Sequence, residues 1–169
     1  MSAVLNQPLL EALLDSWDRN NTILVNLLRA LPTGALEVRA AQGSPSVAQM
    51  FTHMHYCRLI LISENAPELA PNLPKDLPEE EWAAERDSNR IAQLLNDSAK
   101  AVREVAKAKI ESGGQMKVHY DHPILFLQHL TWHEGYHHGQ IKLALKLAGH
   151  PIDDDLAGPV TWHVWFDKT

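Results

Sequence analysis

Cysteine is nearly missing from these 169 residues: Cys57 stands alone, so no intramolecular disulfide can form and no thiolate cluster can hold a metal. A reducing compartment suits such a chain, and a cytoplasmic location is expected. Positive charge is also short, with 15 Lys and Arg against 21 Asp and Glu, a formal net charge of −6 and no basic run. That balance provides no electrostatic footprint for nucleic acid or for an anionic membrane surface. No apolar run approaches the roughly 20 residues that cross a bilayer. The opening segment, MSAVLNQPLLEALLDSWDR, sets acidic residues within an amphipathic pattern and lacks the basic start, apolar stretch and cleavage site of a signal peptide, so export is not expected.

What is present is ordinary globular material: 45% hydrophobic and 21% charged residues, in a length that suits one domain spanning residues 1–169. From about Gln7 to Leu31, Leu10, Leu13, Leu14, Trp17, Leu24, Leu27, Leu28 and Leu31 recur at three and four, the stripe of an amphipathic helix, which Pro32 and Gly34 stop. A second helix starts at Ser46, which with Gln49 fits a capping box, and runs to about Glu64. Pro67, Pro71, Pro74 and Pro78 then make a long, stiff connection. After an acidic turn around Glu79 to Trp82, a third helix carries Ile91, Leu94, Leu95, Val102, Val105 and Ile110 and ends at Gly113-Gly114. The fourth opens with Asp121 as cap ahead of Pro123 and halts at Gly149-His150-Pro151. The segment from Met116 to Tyr120 could pair briefly as a strand. In the tail, Gly158-Pro159 break helical periodicity, and Trp162, Trp165 and Phe166 are expected to cover a bundle end or a partner subunit. The expected fold is all-α: a four-helix bundle with a long proline-rich connection between helices 2 and 3 and a C-terminal aromatic tail.

Ten histidines are the conspicuous surplus, and seven of them fall between His119 and His150. His133 and His137, at i and i+4, share one helix face, where two imidazoles reach one ion. His138 points about 100° away from His137. His129 continues the stripe, but two turns, about 12 Å, are too long for it to join His133 and His137 on one ion; it is read as a neighbour of the site or an alternative ligand. The third ligand must come from another helix. His53 is placed there because it lies on the side of Met50, Met54 and Cys57, whereas His55 sits about 200° round, so that only one of the two is expected to face the core. Three neutral imidazoles leave positions for water or substrate, the open geometry of a catalytic site.

His133-Glu134-Gly135-Tyr136-His137 also fits H-E-x-x-H, in which two histidines hold zinc and the glutamate acts as general base. Against a metalloprotease, no glutamate follows Glu134, Leu143 stands where the longer motif needs its third histidine, and Gly139 comes one residue early. Glu134 can equally lie beside the site or pair with a neighbouring charge.

The segment HLTWHEGYHHGQI, with THMHYCR earlier, resembles the DinB/YfiT-like metalloenzymes over roughly residues 5 to 150. The specific parts are His133, His137, Gly139, Gln140 and Ile141, together with His53. The resemblance implies that His53, His133 and His137 ligate one divalent metal ion (zinc, nickel or iron) with water in the open positions. It also implies a homodimer, and a thiol-dependent S-transferase or isomerase using bacillithiol, mycothiol or glutathione, the metal lowering the pKa of the bound thiol. The leading expectation is therefore a metal-dependent transferase that activates a low-molecular-weight thiol or water for a small-molecule substrate. A non-catalytic metal-binding or sensing protein, or a metallohydrolase using Glu134, are the alternatives.

Overall fold

The computed structural model describes residues 7–70 and 80–166. Among them are five α-helices and no strand: α1 (Gln7–Arg29), α2 (Val47–Asn65), α3 (Ser88–Ser112), α4 (Pro123–Leu147) and α5 (Asp154–Val160). A 3-10 turn, Trp162–Trp165, follows α5. Of the expected proline connection, Pro67 is described, while Pro71, Pro74 and Pro78 lie outside the described residues.

Local signals set most of the boundaries. Ser46 Oγ accepts the Gln49 backbone N–H at 3.2 Å, and Gln49 Oε1 accepts the Ser46 N–H at 2.9 Å, the reciprocal box expected for α2. Asp87 caps α3 by accepting from Asn89 and Arg90, and Gly113, at φ 64°, ends it in the left-handed region that suits glycine. At α4 the cap is His122, not Asp121: His122 Nδ1 accepts the Ile124 N–H at 3.1 Å. Pro123 occupies the first helical position, which makes the residue directly before it the cap.

Two further expectations fail. Met116 to Tyr120 forms no strand; Lys117 N–H donates to Asn65 O and His119 N–H to Asn65 Oδ1, both at 2.9 Å, so one asparagine at the end of α2 pins the segment. The tail is more helical than Gly158-Pro159 suggests. Asp153 caps α5 by accepting the Leu156 N–H at 2.9 Å, and Pro159 sits close enough to the end for Thr161 N–H to close the last turn on Ala157. A Cβ at Gly158 would lie 3.3 Å from the rings of Trp162 and His163, a tight approach that these exposed side chains would have to ease. The 3-10 turn rests on α1, where Arg19 donates to Val164 O, and leaves Trp162 and Trp165 half exposed.

The packing is consistent with a bundle: α3 lies against α1 and α2, and α4 touches α1, α2 and α3. Burial of 12 of the 19 residues of α2 marks it as the most enclosed helix, with neighbours on several faces. The buried apolar residues of the core fall into two clusters. Leu14, Trp17, Val102, Val105, Phe126 and Leu130 fill one half of the core; Leu24, Leu28, Phe51, Met54, Leu95 and Ile141 fill the other. Each such side chain contributes about 1.5–3 kcal/mol on burial.

Between the two halves lies a buried polar layer. Arg58 and Glu134, both 0% exposed, face each other in a bidentate pair, Nε to Oε1 at 2.6 Å and Nη2 to Oε2 at 2.9 Å. Arg58 Nη1 donates to Leu95 O (2.7 Å), Asn21 Oδ1 (3.0 Å) and Ser98 Oγ (3.2 Å), and the guanidinium lies over the Trp17 ring, 4.9 Å from its centroid. Asn20 Nδ2 donates to Glu134 Oε2 at 2.5 Å. All four long helices thus meet in one hydrogen-bonded layer, which fixes their mutual rotation.

Candidate metal centre

α2 and α4 bring His53, His133 and His137 together beside this layer. His133 Nε2 lies 3.2 Å from His53 Nε2 and 3.1 Å from His137 Nε2, so the three nitrogens converge on one point. Metal–nitrogen bonds of about 2.0–2.1 Å at right-angled to tetrahedral geometry place ligand nitrogens about 2.8–3.4 Å apart, and both distances fall in that window. Hydrogen bonding alone serves the trio poorly. His133 Nε2 offers one lone pair or one hydrogen and cannot bond fully to two imidazoles. A cation at the centre takes all three lone pairs, and the donor set suits a first-row divalent ion.

The outer nitrogens are arranged to leave the inner ones free. His137 Nδ1 is 2.8 Å from Gln140 Oε1, which fixes a tautomer with the proton on Nδ1. His53 Nδ1 is 3.4 Å from Glu81 Oε1, the carboxylate–histidine arrangement common behind metal ligands. Trp82 stacks on the His53 ring at 3.9 Å between centroids and 7° between planes, and Gln49 Nε2 holds the Trp82 carbonyl at 2.8 Å. His133 Nδ1 is buried with no partner among the described residues.

Burial keeps these rings neutral at physiological pH. Desolvation, then the neighbouring His137, pushes the pKa of His53 down to about 4; desolvation followed by the surrounding histidines does the same for His133. His137 is lowered by burial as well. A neutral imidazole is the form that ligates.

The remaining histidines separate clearly. His138 faces the other side of α4, in a cavity with Trp162 and Trp165. His129 is engaged by Tyr120, whose Oη lies 2.7 Å from Nδ1, and it does not join the converging nitrogens. His55 corrects the expectation that only one of the helix 2 histidines faces the core. It is 0% exposed, with Nδ1 2.9 Å from Leu94 O on α3, because α2 has neighbours on opposite faces. Glu134 pairs with a charge: both of its oxygens accept from Arg58 or Asn20 and the side chain is 0% exposed, so its place is that of a buried anchor and not of a general base facing water.

Several supporting residues escaped the sequence reading. The sequence does not single out Arg58, and Glu81 and Trp82 read only as part of an acidic turn, since neither periodicity nor spacing marks them. Gln140 is visible only as part of the segment after His137. Beside the site, a cavity of about 360 Å³ is lined by Tyr56, Cys57, Ile60, Leu61, Glu81, His129 and His133. Cys57 Sγ lies 3.5 Å from His53 Nε2, and burial, reinforced by the charges of Glu81 and Glu134, pushes its thiol up to about 12. With Glu81 it forms a second, more open group around His53.

Searches of curated proteins and of solved structures found no match. A family model described as the DinB family matches residues 1–156, a span that includes α1 to α4, His53, and the pair His133 and His137. On that match, taken with the helical architecture and the three converging histidines, the chain belongs to the DinB family.

Proposed function

We propose that His53, His133 and His137 hold one divalent metal ion (zinc, nickel or iron) in a cytoplasmic four-helix-bundle domain, and that the protein is a metal-dependent transferase acting on a small molecule. The observation that carries this reading is the convergence of three Nε2 atoms at 3.1 and 3.2 Å, with Gln140 and Glu81 behind two of the rings. When bound, the ion supplies Lewis acidity, lowering the pKa of a thiol or water at its open positions. The chain's own contribution is positional. Trp82 and Glu81 fix the His53 ring, Gln140 fixes His137, and the Arg58–Glu134 pair fixes the rotation of α4 against α2. The adjoining cavity receives the substrate, and its Tyr56, Ile60 and Leu61 walls exclude water.

Elemental analysis of protein purified without a histidine tag or added metal tests the ligand set. One equivalent of metal is expected, with loss in His133→Ala and in His137→Ala; unchanged content in either variant overturns it. A non-catalytic metal-binding or sensing role is the second reading, favoured by Glu134 being tied to Arg58 so that it provides no general base. Thiol-dependent turnover of electrophiles by the metal-loaded protein separates the two.

A homodimer through α4 is part of the same proposal. Leu125, Trp132, Tyr136, Leu143 and Leu147 form an exposed apolar stripe along the helix, with the Trp132 and Tyr136 rings stacked at 6.2 Å. Light scattering is expected to give a dimer, and Trp132→Lys a monomer with the metal retained; a monomeric parent protein refutes this part alone.

A further inference from the structure

A second cavity, of about 300 Å³, opens between α1, α4 and the tail, round α4 from the converging histidines. Ile23 and Leu24 of α1 form one wall, and Trp162 and Trp165 of the 3-10 turn form another. An apolar cavity of about 150 Å³ takes benzene, so a space about twice that size takes a substituted aromatic ring. Trp162 and Trp165 are 38% and 43% exposed, and grouped apolar surface beside a cavity marks a binding site in a way that a lone exposed side chain does not. Much of the polar lining is already committed. Thr131 and Thr161 donate to Leu127 O and Ala157 O, and both Glu134 oxygens accept from Arg58 or Asn20. His138 differs: its Nε2 is buried with no hydrogen-bond partner among the described residues. A buried nitrogen left so is costly, and a ligand group that bonds to it recovers that cost. A hydroxyl serves best, because it both donates and accepts and so matches either tautomer of the ring. A water there would leave the indole and aliphatic walls wet, whereas an aromatic hydroxyl makes the same bond and covers them. His138 lies about 200° round α4 from Tyr136, so the cavity does not face the exposed stripe of that helix.

We propose that this cavity is a second ligand site and takes a small phenol, its hydroxyl on His138 Nε2 and its ring against Trp162 and Trp165. The site borrows no residue from the histidine trio, so it stands or falls apart from the metal-dependent reading. It meets the buried polar layer through Asn20 and Glu134, which also line it.

The test uses the full chain in calorimetric titrations with p-cresol and toluene, which differ by one hydroxyl. p-Cresol is expected to bind saturably and about five- to tenfold more tightly than toluene, the worth of one hydrogen bond at a buried group. His138→Phe keeps a ring at this position but removes the nitrogen, and should bring the two ligands to within about twofold. Ile23→Trp, at a half-buried side chain on the wall, fills the cavity and should remove binding of both, with helical circular dichroism retained. If that variant fails to fold, His138→Phe decides alone, because no other described cavity has His138 in its wall. A nitrogen satisfied by water alone gives no saturable p-cresol binding, which overturns the proposal. Toluene binding as tightly as p-cresol, a preference that survives His138→Phe, or binding unchanged in a folded Ile23→Trp variant overturns it as well. Metal content measured on the same preparations keeps the two readings apart, since either result can fail without the other.

Discussion

Removing Glu134 is the sharpest perturbation the structure offers. In Glu134→Ala the Arg58 guanidinium, 0% exposed, loses both bonds of its bidentate partner, and Asn20 loses the acceptor that its amide reaches at 2.5 Å. Breaking one side of a buried ion pair costs about 3–5 kcal/mol, because the remaining charge stays desolvated. For a chain of this size that corresponds to a fall in Tm of about 6–20 °C. Urea denaturation followed by circular dichroism, on metal-free protein at pH 7.5, measures it. The double variant Arg58→Met with Glu134→Leu removes both charges and should recover most of the loss, since apolar replacements of similar volume are often neutral in such places. A cost below about 1 kcal/mol for Glu134→Ala, or a double variant less stable than either single, would refute the picture of a buried pair locking the helices. Glu134→Gln also bears on chemistry. Were the residue a general base, activity would vanish with stability intact; as a structural anchor, its loss lowers stability and metal affinity together.

Other expectations can be checked alongside. The unfolded-state pKa of histidine is about 6.5, above the folded value of about 4 for His53 and His133, so the unfolded chain binds more protons below pH 6.5. Metal-free stability should be complete above about pH 6.5 and decline as pH falls towards 4, by up to about 3 kcal/mol for the buried His53; a flat profile over that window contradicts the burial argument. Ser46→Ala removes one half of the capping box on α2 and should cost about 1 kcal/mol by denaturant titration, with the metal site unchanged.

Legibility in the sequence followed the physics of each signal. Helix boundaries marked by caps could be read directly: Ser46 with Gln49, and Gly113, act through local bonds that need no knowledge of the fold. The His133 and His137 pairing was legible because helical geometry alone puts i and i+4 on one face. His53 was harder, since the argument for it assumed a single buried face on α2, whereas His55 is buried as well. A helix enclosed on several sides carries no stripe, so periodicity says little about which residue meets which neighbour. Pairing of Glu134 with a charge was legible as one alternative; that the partner is Arg58 lay beyond sequence reasoning, because the two are 76 residues apart. The α5 helix was missed for the opposite reason: Gly158 and Pro159 are strong local breakers, yet the Asp153 cap starts the helix and Thr161 N–H still closes its last turn on Ala157.

The stacking of Trp82 on His53 has a practical side. An indole lies 3.9 Å, centroid to centroid, from one ring of the histidine trio, held nearly parallel to it, so the protein carries its own optical probe at the place of interest. Changes in the electron density of the His53 imidazole should reach the emission of that indole, while Trp17, Trp132, Trp162 and Trp165 form a background that a Trp82→Phe variant would define. Occupancy of the histidine trio thereby becomes something a fluorimeter can follow in real time, without label or chromophoric ion.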